Sequence, residues 1–138
     1  MPKKILTVEY DYDFVLIGIL CQEKDYRICH EINKKLGVDF KKQDDLEIII
    51  NKQKESSGFS LYSYINEDDQ SFYLIGNKSL KGFFIPEQKQ MDYFLMVKGS
   101  LFEEEKKKLL QNIKQLPIIM GIYELDTMKL RSKENLIF

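Results

Sequence analysis

Eight consecutive apolar residues, Phe14-Val15-Leu16-Ile17-Gly18-Ile19-Leu20-Cys21, constrain this chain more than any other feature. A membrane-spanning helix needs about 20 such residues, so the run is too short to cross a bilayer. It suits a central β-strand covered on both faces, because a half-buried strand alternates apolar with polar positions. The chain of 138 residues is 43% hydrophobic and 31% charged, too apolar and too balanced in charge for disorder. We expect residues 1–138 to form a single domain.

The flanking patterns are shorter. Residues 5–10 alternate, with Leu6, Val8 and Tyr10 on one side, which predicts a strand. Ile28, Cys29, Ile32 and Leu36 share one helical face, which predicts a helix over 24–36. Glu23 or Asp25 suits its N-terminal dipole, Lys34 and Lys35 suit the C-terminal one, and Gly37 suits a left-handed cap. Residues 38–45 read as a polar connection and 46–50 as a strand. Polar turns at 51–58, 66–70 and 77–82 separate short strands at 59–65, 71–75 and 83–85, an antiparallel meander.

Pro86 interrupts that pattern, and residues 92–98 form the next strand. Ser100 and Glu103 have the spacing of a capping box. They open a helix reaching Gln115, with Phe102, Leu109, Leu110, Ile113 and Leu116 inward. Glu103 with Lys107, and Glu104 with Lys108, stand at i, i+4 on a solvated face. Pro117 stops this helix before a last strand over 118–125. The expected fold is α+β: a two-layer sandwich of two main helices on a mostly antiparallel sheet of about seven strands. Its closing β-α-β half resembles a ferredoxin-like unit, a pattern shared by the small ligand-sensing ACT domains.

Chemistry is sparse. Lys and Arg number 21 and Asp and Glu 22, for a formal net charge of -1, and Arg27 and Arg131 are the only arginines. That is a poor surface for phosphate or base contacts, so nucleic acid is not expected as a partner. Cys21 and Cys29 lie in apolar patterns and read as free buried thiols. His30, the single histidine, neighbours Cys29, but adjacent helix positions point about 100° apart and cannot form a nucleophilic pair. Asp44-Asp45 and Asp68-Asp69 read as turn residues. No phosphate-binding glycine motif or nucleophile elbow is present. We assign no catalytic residue, metal site or cofactor, and expect a cytoplasmic, unprocessed protein without a membrane segment. Tyr62 and Tyr64, if they share the outer face of the meander, form part of a partner surface.

The segment Ile85-Pro86-Glu87-Gln88-Lys89-Gln90-Met91-Asp92-Tyr93 resembles the signature of the IPExxxVDY family of small uncharacterised bacterial proteins, with Met91 in place of the valine. The strand beginning at Phe14, the stretch Asp25-Tyr26-Arg27, the stretch Asp44-Asp45-Leu46-Glu47 and the ending Ser132-Lys133-Glu134-Asn135-Leu136-Ile137-Phe138 also look like that family. The resemblance implies one cytoplasmic domain and no assigned activity. Read physically, Pro86 rigidifies a turn, Glu87 and Asp92 accept backbone N–H bonds from that loop, and Tyr93 points into the core. The rival reading makes Glu87 and Asp92 a recognition loop for a partner or cation.

The expected function is a non-catalytic protein-interaction module. Its partner is a second copy, joined through a sheet edge or the tyrosine face, or another cytoplasmic protein. Its candidate binding residues are Pro86, Glu87, Asp92, Tyr62 and Tyr64. The alternative is an ACT-like small-ligand sensor with a site at a subunit interface, near the strand-to-helix loop of Gly99 and Ser100. A third reading is an acid–base enzyme using Glu87 and Asp92.

Overall fold

The computed structural model describes residues 14–50, 54–99 and 101–138. The strand expected over 5–10, and Ser100 of the expected capping box, lie outside them. Among the described residues there are six strands and two α-helices. In chain order they are β1 (Phe14–Leu20), α1 (Asp25–Leu36), β2 (Lys41–Ile49), β3 (Ser56–Ile65), β4 (Ser71–Gly76), β5 (Tyr93–Lys98), α2 (Glu103–Lys114) and β6 (Gly121–Leu125). The sheet order is β2-β3-β4-β5-β1-β6, and every neighbouring pair is antiparallel. Both β5 and β6 run antiparallel to β1, which lies between them, so β5-α2-β6 is a split β-α-β unit of the ferredoxin-like kind.

The apolar run becomes β1, an inner strand with both faces buried. Ile17 and Ile19 join Tyr62, Leu74, Tyr93 and Leu95 under the helices, where Ile28, Cys29 and Ile32 of α1 and Ile113 of α2 complete the packing. Leu16 faces the other way, into a second cluster with Phe59, Leu61, Ile75, Phe94 and Met96. Among the described residues no α-helix covers that side. It is closed by Phe84, Ile85 and Met91 and by the C-terminal Leu130 and Leu136. Gly18 makes room there, since a Cβ on it would stand 2.7 Å from Met91 Sδ. Each fully buried aliphatic or aromatic side chain contributes about 1.5–3 kcal/mol.

The helix start and stop signals around α1 hold: Gly37 takes φ 66° and its N–H bonds Asn33 O. Elsewhere the structure corrects the sequence. Residues 41–45 are not a loop but the first half of β2, paired with β3 and broken by a bulge between Gln43 and Leu46. They read as polar because β2 is the edge strand among the described residues and is exposed there, where charges blunt further pairing. Residues 83–85 make only the isolated bridge between Lys78 and Phe83, because the Ile85 N–H is taken by the Asn77 side chain. Phe102 points outward, since it is the N-cap of α2 and precedes the apolar stripe. The helix is capped by Glu105, whose carboxylate accepts from Phe102 N at 3.2 Å. Lys106 pairs with Glu103 and Glu124, both at 2.9 Å, in place of the expected i, i+4 rungs. Among the described residues no helix is long and apolar enough to cross a membrane.

Candidate functional site

Asn77, fully buried just beyond β4, organises the segment that follows it. Its Nδ2 donates to Gln88 O and Met91 O, both at 2.9 Å, and its Oδ1 accepts from Ile85 N at 2.8 Å. Its backbone N–H donates to Asp92 O and its carbonyl accepts from Phe84 N. Pro86 opens a 3₁₀ turn, Pro86–Gln88, whose fixed φ it supplies. Nothing in the sequence distinguished Asn77 from an ordinary turn asparagine; a buried amide that bonds three backbone groups has no spacing signature.

Glu87 and Asp92 are committed separately, and chiefly to segments outside the loop whose backbone they were expected to bond. Glu87 accepts from Ser132 N at 2.6 Å and from Ser132 Oγ at 2.8 Å, clasping the C-terminal segment. Asp92 Oδ2 accepts from Cys21 N at 2.8 Å, and Oδ1 pairs with Lys78 Nζ at 2.7 Å. Tyr93 points under the helices, as expected, and its hydroxyl donates to Glu23 O. Asp92, Lys78 and Tyr93 line a cleft of about 590 Å³ between the β1–α1 connection and the ends of β3 and β4, with Asp25 and Asp45 on its walls. Tyr62 is buried behind it with its hydroxyl on Asp25; burial, then the Asp25 charge, pushes that hydroxyl up to about 12. The cleft is polar, but the carboxylate and phenol that the motif brings to it are already engaged in holding the fold.

Burial alone would raise the Glu87 carboxyl, but bonds from its own N–H, from both Ser132 donors and from Arg131 outweigh burial and lower it. A depressed folded-state pKa contributes stability in full above the unfolded-state value of about 4.3 and loses it as pH falls through the folded value. The Ser132 amide is therefore expected to exchange faster with solvent as pH drops below that range, once corrected for intrinsic exchange. In Glu87→Gln it should be fast throughout. A Ser132 amide equally protected in both proteins across an acid series would remove the clasp from this account.

The tyrosine face is not the outer face of the meander. Phe59 and Leu61 fill the side away from the helices, so Tyr62 and Tyr64, in the opposite phase of β3, face the helices. Tyr64 meets Phe40 (ring centroids 5.9 Å apart) and Phe72 (5.8 Å) at the floor of a groove of about 360 Å³. Asn33 of α1 fixes Phe40 there by bonding both its N–H, at 2.7 Å, and its carbonyl, at 3.1 Å. Half-buried Leu36 and Val38 form one wall, and Leu101, Glu105, Lys108 and Leu109 form the other. This groove lies beside the β5–α2 connection, whose Gly99 packs on Gln70, another lining residue.

The remaining reactive groups are placed away from both concavities or held inert. Burial pushes the Cys29 thiol up to about 11, and burial also raises Cys21, so neither is a thiolate at neutral pH. His30 is exposed while Cys29 is buried, so the two do not meet. No family model matches the chain, and no curated protein matches it.

Proposed function

We propose that this chain is a non-catalytic, cytoplasmic interaction module that binds its partner through the groove of Phe40, Tyr64 and Phe72. One contrast carries the reading. Glu87 and Asp92 have their hydrogen-bond partners within the chain, whereas the groove leaves aromatic and aliphatic carbon facing solvent. Satisfied carboxylates favour a structural role, and an open apolar concavity favours recognition. Membership of the bacterial IPExxxVDY family belongs to the same proposal: the motif and the chain's ending, which carry the resemblance, hold each other through Glu87 and Ser132.

A second reading, the small-ligand sensor, draws on the same groove, because it sits at the strand-to-helix connection where that reading places its site. Its volume of about 360 Å³ falls within the range of small-molecule pockets. The two readings separate by what the groove holds.

The test is a charge placed in the groove. Tyr64→Arg is expected to abolish self-association in light scattering and partner capture from the native cell, with the circular dichroism spectrum unchanged. Asp92→Asn should bind as the parent does. The opposite pattern, with binding lost in Asp92→Asn and kept in Tyr64→Arg, would move the site to the polar cleft and end this proposal.

A further inference from the structure

We propose that the groove is filled by a second copy of this chain, whose Phe102 ring enters it across a two-fold axis on α2. The inference rests on the groove being the recognition surface and names what it recognises. Phe102 is 74% exposed, although an apolar groove opens one helical turn away. It precedes Glu105 by three residues and Leu109 by seven, both lining residues on the groove face of α2, and its extended N-cap backbone (ψ 151°) frees the ring from the helical stripe. It nevertheless does not line the groove of its own chain.

The same face carries a self-complementary charge pattern, Glu105 followed at i+3 by Lys108. Take two α2 helices packed antiparallel, with the axis between Lys106 and Lys107. Glu105 of each copy then faces Lys108 of the other, twice. Phe102 faces Gln111 of the other copy, flanked by the lining residues Lys108 and Asn112. Only an isologous contact uses one patch in this way, and it closes as a dimer. Lys106, turned to Glu103 and Glu124, is held off the contact. The inserted ring would meet Tyr64 and Phe72, an aromatic anchor in an apolar pocket with a charged rim.

The experiment measures the mass of the full chain by light scattering and sedimentation. The parent is expected to be a dimer, and Phe102→Ala to weaken it about 30-fold or more. Glu105→Lys and Lys108→Glu should each be monomeric alone, because each homodimer then faces like charges twice. An equal mixture of the two should dimerise, because both rungs are restored. Circular dichroism checks that each variant keeps its helices. A mixture that stays monomeric, or a Phe102→Ala variant as dimeric as the parent, overturns the two-fold. If the parent itself is monomeric, anilinonaphthalene sulfonate separates the two failures. Dye bound by the parent and not by Tyr64→Arg sinks the self-pairing alone; no dye bound at the groove sinks the recognition surface as well.

Discussion

Replacing Asn77 with alanine is expected to remove about 2–6 kcal/mol of unfolding free energy, at its upper end close to the whole stability of many domains this size. The residue is fully buried and its side chain makes three hydrogen bonds, to Ile85 N, Gln88 O and Met91 O. Alanine strands Ile85 N and Met91 O in a segment where Phe84 and Ile85 exclude water, while Gln88 O keeps its bond from Met91 N. Each stranded group costs about 1–3 kcal/mol, more than the net worth of the bond that satisfied it. The measurement is the urea midpoint, with the slope of the transition checked for two-state behaviour.

Asn77→Asp is the isosteric control. Its carboxylate keeps the acceptor for Ile85 N but faces two carbonyls without a donor, so at neutral pH it should be at least as damaging as alanine. Burial raises such a carboxyl, so stability should be regained as pH falls and the group protonates, the opposite trend to Glu87. A variant with alanine at 77 and an unchanged urea midpoint would mean that the segment is not held from this residue.

The parts of this fold that were legible in the sequence are those whose signals are local. β1 announced itself as an unbroken apolar run because it is an inner strand packed on both faces. α1 was legible from Ile28, Cys29 and Ile32 on one stripe and from Gly37 at its end. The phase of β3 was legible too, but not the meaning of each phase. Phe59 and Leu61 on one side and Tyr62 and Tyr64 on the other are both apolar sets, and both are inside because each face has a cover, the helices over the tyrosines and the C-terminal segment over Phe59 and Leu61. The C-terminal cover was not legible, because Leu130 caps one single 3₁₀ turn and Leu136 ends another, each too short to show a period. The groove was illegible for the same reason: Phe40, Tyr64, Phe72 and Leu109 come from four separate segments, and nothing but the topology brings them together.

Leu136→Ala tests that C-terminal cover and should cost about 2–5 kcal/mol, the range for truncating a large aliphatic side chain in a packed core. Leu136 is fully buried against the sheet. Its neighbours are tied at several points: Ser132 to Glu87, Asn135 Nδ2 to Phe84 O at 2.8 Å, and the Phe138 ring to Tyr73, with Lys98 over both rings. Lost burial at 136 therefore loosens an element that several polar contacts hold in register. Glu87→Gln alone should cost about 1–2 kcal/mol, because it weakens one charged clasp while Leu136 stays seated. Combining the two should cost less than their sum. Once Leu136 no longer anchors the tail, Ser132 is already released in much of the population, and the clasp has less left to lose. Additive losses in this double-mutant cycle would show instead that the clasp and the apolar anchor act independently, and that the tail is not one cooperative unit.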